Sequence, residues 1–149
     1  MNFEKLQGGV RVKFNKNLIG INPKSRFNAH FYIFTRKDNL EKFKDEKIFY
    51  LPGEYEANNI FIFGFAQREG LNFILKNNEE NLLILEEKFE DTPKILDIIL
   101  SEPTYVLLLN QDKSFKDFLK KINIEELILE NNLQANFFEK ELTCKVSVL

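Results

Sequence analysis

The chain has 149 residues, of which 44% are hydrophobic and 30% are charged, and its formal net charge is −2. This length and composition are typical of one globular domain with a sizeable core, so we predict a single domain over residues 1–149. The acidic balance argues against a basic nucleic-acid-binding domain, and no stretch approaches the roughly 20 apolar residues that span a bilayer.

The first half of the chain has the patterns of short β-strands. Residues 10–14 alternate apolar and charged side chains, which predicts a half-buried strand. A turn at residues 15–17 leads to a second strand at 18–21, which Pro23 closes because proline cannot donate to a strand ladder. Another strand is predicted at residues 31–34.

The middle of the chain continues this β-rich pattern. A short helix is predicted from Asp38 and a strand at residues 48–51. Residues 59–65 are apolar on both faces, which is typical of a strand in the interior of a sheet. A hairpin is expected with strands at 71–75 and 82–85.

The second half of the chain changes to an alternation of strands and helices. The strand at 82–85 is followed by predicted strands at residues 105–109, 127–129 and 146–148, the last at a sheet edge, with helices beginning at Thr92 and Ser114. Thr92 precedes Pro93, a favoured start of a helix, and Ser114 opens an approximate capping box. This order predicts parallel strands joined by helical crossovers.

Few residues in the sequence are suited to nucleophilic or zinc chemistry. His30 and Cys144 are the only histidine and cysteine, so a Cys/His zinc site is excluded, and we expect both to be structural. There is no phosphate-binding or dinucleotide-binding glycine motif and no nucleophile elbow. The lone cysteine fits a reducing compartment, and residues 1–5 show no secretory signal, so a cytoplasmic location is expected.

Two carboxylate pairs remain as candidates for acid–base chemistry. Glu54 and Glu56 share a face if they lie on a strand, and Glu86 and Glu87 follow a predicted strand. Paired carboxylates can divide acid and base roles when their environments differ. We favour the simpler interpretation, in which they are solvated surface acids.

One segment resembles a known family. Its residues are Pro52, Gly53, Glu54, Tyr55 and Glu56, followed by an apolar strand at residues 60–64 that ends in glycine. They resemble a bacterial branch of the metallo-β-lactamase superfamily, in which this Pro-Gly-Glu-Tyr-Glu motif is structural. The resemblance extends to the hairpin at residues 9–23, the strand pair at 72–87 and the stretch from 104 onward. It implies an α/β fold, an αββα sandwich of two facing β-sheets flanked by helices, truncated here because the chain is short.

The positions of the family's metal ligands differ in this sequence. The motif His-x-His-x-Asp-His falls on residues 36–41, the bridging aspartate on Glu87 and the final histidine on Asn131. No imidazole remains at any of these positions, so the resemblance implies no catalytic residues, no metal and no other cofactor. The predicted degenerate metal site consists of Arg36, Asp38, Glu41, Glu87 and Asn131.

The remaining side chains allow two arrangements. The oxygen donors could hold Mg²⁺ or Ca²⁺ weakly, or Arg36 or Lys37 could pair with the acids in place of a metal. We prefer the ion pairs, because they account for both the acidic and the basic residues.

Three functions follow from this interpretation. The first is a pseudoenzyme that acts as a protein-binding or assembly module, with a protein partner or self-association. The second is a phosphoesterase-like hydrolase that uses an oxygen-ligand metal site. The third is nucleic-acid association, for which Lys116, Lys120 and Lys121 are the local support and against which the acidic balance argues. We rank them in that order.

Overall fold

The computed structural model describes residues 1–89 and 92–149, and in these residues two β-sheets form. The strands of the first sheet are, in spatial order, β1 (Asn2–Leu6), β2 (Gly9–Phe14), β3 (Asn17–Ile21), β4 (Phe31–Ile33) and β5 (Ile48–Phe49). The pairings among β1, β2 and β3 are antiparallel, and those among β3, β4 and β5 are parallel.

The second sheet combines an antiparallel half with a parallel half. Its strands, in chain order and in spatial order from one edge to the other, are β6 (Gly53–Ala57), β7 (Ile60–Ala66), β8 (Leu71–Lys76), β9 (Asn81–Leu85), β10 (Thr104–Leu108), β11 (Ile124–Leu129) and β12 (Lys145–Val148). Strands β6 to β9 are antiparallel, and β9 to β12 are parallel.

Helices connect the parallel strands, and two of the three lie where the alternating pattern predicted them. They are α1 (Thr92–Ile99), α2 (Lys116–Leu119) and α3 (Ala135–Glu141), with 3₁₀ turns at Leu40–Phe43 and Lys113–Phe115. None of the helices in residues 1–89 and 92–149 is both long and apolar enough to cross a bilayer.

Alternation along the strands divides the apolar side chains between two layers. One buried cluster fills the space between the sheets and includes Val12 and Phe31 from the first sheet and Ile84 and Ile128 from the second. A second cluster, formed by alternate residues such as Leu85 and by Ile95, Phe115 and Phe138 of the helical layer, covers the far face of the second sheet. The sandwich predicted from the sequence is therefore present.

The outer face of the first sheet has a thinner cover. Tyr32, Phe34 and Phe43 form a small buried cluster there, against which the 3₁₀ turn at Leu40–Phe43 and the half-buried Phe27 pack. In the part of the chain that the structure describes, the α-helical layer lies on the second sheet.

The structure departs from the predicted elements at several places. Strand β1 and helix α3 were missed, because β1 is mostly exposed and α3 is only seven residues long. Asp112, and not Ser114, caps the helical turn that leads into α2, since its side chain accepts a hydrogen bond from the Ser114 amide at 2.9 Å.

Candidate functional site

The carboxyl ends of the parallel strands in both sheets converge at one edge of the sandwich. Asn22 directly follows β3, Thr35 and Arg36 come shortly after β4, and Glu86 and Glu130 directly follow β9 and β11. In open α/β sheets, ligand sites lie outside such strand ends. This edge is also where the resemblance places the family's metal ligands, so we treat it as the candidate site.

A chain of hydrogen bonds links the two sheets at this edge. Asn22 accepts a bond from the Thr35 amide at 2.9 Å and donates one to the Thr35 hydroxyl at 2.7 Å. That hydroxyl donates to Glu86 Oε2 at 2.9 Å, and Arg36 Nε donates to the same oxygen at 3.2 Å. Thr35 is fully buried, and both its donor and its acceptor capacities are used.

Glu86 is fixed in place by Asn72, a fully buried residue of β8. Asn72 Oδ1 accepts hydrogen bonds from the amides of Glu86 at 2.7 Å and Glu87 at 3.0 Å, and Asn72 Nδ2 donates to the Glu87 carbonyl at 2.7 Å. The Glu87 carboxylate accepts bonds from the amides of Glu69 and Gly70. The Glu86 carboxylate is therefore directed at Arg36, and the Glu87 carboxylate at the loop that contains Glu69 and Gly70.

A concave pocket opens beside this chain of hydrogen bonds. We call it the strand-end pocket; it has a volume of about 230 Å³. Its polar lining consists of Asn22, Lys24, Arg36, Asp38, Asn39 and Glu130, and the rest of its wall includes Gly8, Gly9 and Leu109. Burial raises the pKa of the Glu130 carboxyl, and the nearby Arg36 and Lys5 oppose that shift.

The raised pKa of Glu130 predicts a pH-dependent change in stability. A carboxyl whose pKa is higher in the folded state stabilises the fold below its unfolded pKa, and that contribution is lost as the pH rises through the folded pKa. Glu130→Gln should therefore raise the free energy of unfolding at about pH 7 relative to the unmodified chain, and the gain should shrink towards about pH 4. Urea titrations at the two pH values measure this difference.

A matched control separates this effect from the loss of any surface charge. Glu139 is exposed on α3, so Glu139→Gln should show no comparable pH-dependent gain. A loss of stability at neutral pH in Glu130→Gln would contradict the prediction.

The structure brings two of the five predicted site residues into the pocket. Arg36 and Asp38 line it. Glu41 is instead 82% exposed and pairs with Lys44 at 2.6 Å, Glu87 binds the loop amides, and Asn131 accepts hydrogen bonds from Gln111 and the Leu133 amide. Arg36 does form an ion pair, but with Glu86 and not with Asp38, Glu41 or Glu87, the acids predicted to pair with it.

Two acids that line or face the site, Glu86 and Glu130, were each missed by one residue. Ile84 and Ile128 point between the sheets, whereas Leu85 and Leu129 point toward the helices. Side chains alternate along a strand, so Glu86 and Glu130 continue the inward face, and Glu87 and Asn131 continue the outward one. This period of two was the signal in the sequence that would have identified Glu86 and Glu130.

The residues around the pocket do not fit zinc. Zinc prefers imidazole and thiolate donors, whereas this edge supplies carboxylates, amides and a guanidinium, which has no lone pair to offer. His30 uses Nδ1 to accept a hydrogen bond from the Leu18 amide at 2.9 Å. Cys144 packs with the helical layer, where burial raises its pKa.

The Pro-Gly-Glu-Tyr-Glu segment shapes the turn into β6 and lies outside the pocket lining. The Tyr55 hydroxyl lies 3.1 Å from the Leu51 carbonyl oxygen and 3.0 Å from that of Pro52, and donates between them. The Leu51 carbonyl also packs so tightly on Gly64 that a Cβ there would lie 2.8 Å from its oxygen. Tyr55 and Gly64 together hold this turn against β7.

Removal of the Tyr55 hydroxyl should therefore weaken the fold by a modest amount. Tyr55→Phe keeps the ring on Phe49 but leaves two carbonyls without their donor, so we expect a loss of about 1 kcal/mol in the free energy of unfolding. Tyr50→Phe is the control, because Tyr50 is more exposed. Equal losses in the two variants would show that the hydroxyl of Tyr55 has no such role.

Comparison with known proteins identifies the fold. A solved structure from Thermotoga maritima, named as a candidate zinc-dependent hydrolase of the metallo-β-lactamase superfamily, matches with a TM-score of 0.72. The two chains share 14% identity, and the match covers 94% of this chain and 93% of the other. No family model and no curated protein matches the sequence. The chain has the metallo-β-lactamase fold, as the resemblance implied.

Proposed function

We propose that this chain, which has the metallo-β-lactamase fold, is a non-catalytic domain that works by binding another protein. The observation that supports the absence of catalysis is the position of Arg36. Its guanidinium stands at the strand end where the resemblance expects the first histidine ligand, and Glu86 holds it there through Nε.

Charge explains why this arrangement disfavours metal-dependent hydrolysis. Two unit charges 4 Å apart near a protein surface interact by about 4 kcal/mol, and a divalent ion doubles that repulsion from a guanidinium. Glu86, the acid nearest to Arg36, is already bonded to both Arg36 and Thr35. A hydrolase of this type needs a bound metal to lower the pKa of water, and these residues supply no suitable cage.

Metal analysis and activity assays test the non-catalytic assignment. We expect the chain, purified without chelators, to carry well below one equivalent of zinc, manganese or magnesium. Its unfolding temperature should not change with EDTA, and it should not hydrolyse phosphoester substrates. Stoichiometric metal that is lost in Asp38→Ala, together with chelator-sensitive turnover, would instead establish the oxygen-ligand hydrolase.

The support for protein binding is an apolar and acidic surface on the second sheet. We call it the β6–β7 outer face, formed by Glu54, Glu56, Phe61 and Phe63. Glu54 lies opposite Phe63 and Glu56 opposite Phe61, so both pairs share the outward side of the sheet. Phe61 is 48% exposed although β7 is an interior strand.

The charges of this face indicate the chemistry of the partner. In residues 1–89 and 92–149, Glu54 and Glu56 form no ion pair. A partner segment with lysine or arginine beside an apolar side chain would neutralise both acids and cover Phe61. A symmetric dimer through this face would bring like charges together, so the fit is to a different protein.

Affinity capture followed by direct titration tests this surface. A captured partner should be identified, purified and titrated calorimetrically against the chain, with Phe61→Ser and the double variant Glu54→Lys/Glu56→Lys as probes. We expect each to weaken binding by at least tenfold, with Glu139→Lys, an exposed change on α3, as the matched control. Equal affinity in all variants would exclude this face, and a chain with no stable partner would contradict the proposal.

A further inference from the structure

The strand-end pocket has groups of opposite charge on its walls that do not neutralise each other directly. Arg36 and Lys24 supply positive charge, and Glu130 and Asp38 supply negative charge. Arg36 and Glu130 both line this pocket, yet no direct ion pair forms between them. The two groups therefore face the same space from a distance.

The positive side retains unused donors. Arg36 binds Glu86 through Nε alone, so within the described part of the chain its two terminal nitrogens make no hydrogen bond. Lys24 lies beside the Gly8 turn, and its ammonium has no carboxylate partner among residues 1–89 and 92–149. A guanidinium with two free parallel donors is the usual partner of a carboxylate, which it binds in a bidentate manner.

On the negative side of the pocket, the charge of the Glu130 carboxylate is only partly compensated by nearby cations. The Glu130 side chain is half-buried where it lines the pocket. Lys5 donates to the Glu130 backbone carbonyl at 3.3 Å and leaves the carboxylate without a direct ion pair in the described residues. A half-buried carboxylate without a partner is costly, and a bound cation would relieve that cost.

We propose that the strand-end pocket binds a small zwitterion, with its carboxylate on Arg36 and its ammonium on Glu130. A volume of about 230 Å³ lies below the roughly 300–1,000 Å³ typical of sites for drug-sized ligands, so the ligand is a molecule of amino-acid size. Lys24 and Asp38 add one charge of each sign to the pocket lining. The inference does not depend on the protein-binding role of the β6–β7 outer face.

Calorimetric titration with simple probes tests this site. The probes are glycine, β-alanine and 4-aminobutyrate, in which the carboxylate and ammonium are progressively farther apart, with acetate and methylammonium as probes of a single charge. We expect saturable binding of at least one zwitterion, tighter than either single-charge probe by about tenfold or more at low ionic strength. If none of the three zwitterions binds, or if acetate binds as tightly, the proposal is overturned.

Paired variants locate the binding. Arg36→Gln and Glu130→Gln should each weaken binding of the best zwitterion by about tenfold or more, whereas Arg68→Gln and Glu139→Gln, on exposed residues elsewhere, should not change it. Glu130→Gln should fold at least as well as the unmodified chain at neutral pH, so a loss of binding there is not a loss of structure. Unchanged affinity in that variant would remove the site from this pocket.

The unmodified protein provides a further measurement that does not depend on any variant. The amide signals of Gly8 and Gly9, which line the pocket, should shift on titration with the zwitterion. Signals of the β6–β7 outer face should stay in place, which keeps failure of this site distinct from failure of the proposed protein surface. Shifts confined to that other face would contradict the inference.

Discussion

Asn72→Ala should lower the free energy of unfolding by about 3 kcal/mol, the largest loss that we expect from removing a single polar side chain. The substitution deprives the Glu86 amide, the Glu87 amide and the Glu87 carbonyl of their partners at once. Each buried backbone group left unpaired costs about 1–3 kcal/mol, and partial access of water reduces the sum. Urea unfolding followed by circular dichroism measures the loss.

Asn72→Ala has a matched control, Asn78→Ala, and an expected effect on the Arg36–Glu86 pair. Asn78 is an exposed asparagine in the turn after β8, so Asn78→Ala should stay within about 0.5 kcal/mol of the unmodified chain. Without Asn72, the segment that carries Glu86 is no longer held against β8, so the pair with Arg36 should weaken as well. Similar stabilities for the two alanine variants would show that the Asn72 bonds are not needed.

Gly9→Ala should destabilise the chain by a similar amount, about 3 kcal/mol, because it forces two strands apart. A Cβ at Gly9 would lie 2.4 Å from the Ile21 carbonyl oxygen and 2.8 Å from the Asn22 carbonyl, and backbone atoms cannot move aside as a side chain can. Gly9 also lines the strand-end pocket, so zwitterion binding should weaken together with stability.

The neighbouring glycine provides the matched comparison. Gly8 has a φ of +76° in the two-residue turn between β1 and β2, a conformation that asparagine tolerates well. A side chain there would meet Cδ and Cγ of Lys24 at 2.7 and 2.8 Å, and this exposed side chain can change rotamer, whereas the carbonyls near Gly9 are backbone. Gly8→Asn should therefore cost less than about 1 kcal/mol. If Gly8→Asn is the more damaging change, then the packing argument for Gly9 is wrong.

The sequence patterns were sufficient to predict most of the strands because the strongest patterns come from buried strands, whereas the two-sheet sandwich was implied by the resemblance. The alternation from Val10 to Phe14 and the apolar runs of β9, β10 and β11 each recur as predicted elements. The motif around Tyr55 resembles the metallo-β-lactamase superfamily, and the structural match with a TM-score of 0.72 confirmed this resemblance at the level of fold. Short or exposed elements such as β1 and α3 contain too few apolar residues to produce a clear periodic pattern in the sequence.

The site was harder to predict because its residues lie where the strands end. A sequence can be aligned to a ligand motif one residue out of place without a visible conflict. In a β-strand, however, a shift of one residue moves a side chain to the opposite face. Glu87 was therefore chosen in place of Glu86, and Asn131 in place of Glu130. The role of Asn72 had no signal in the sequence at all, because its three bonds depend on the separation between β8 and the segment after β9.

The contact of Arg36 and Thr35 with Glu86 also bears on how far this edge of the sandwich can be altered. These bonds tie the end of β4 to the end of β9, so they hold the two layers together at the edge where the strand-end pocket opens. Arg36→His would supply one imidazole, whereas zinc sites need three or four protein ligands. Redesign of this edge as a zinc site would therefore break a connection between the layers before any ion could replace it, and it would need several substitutions at once.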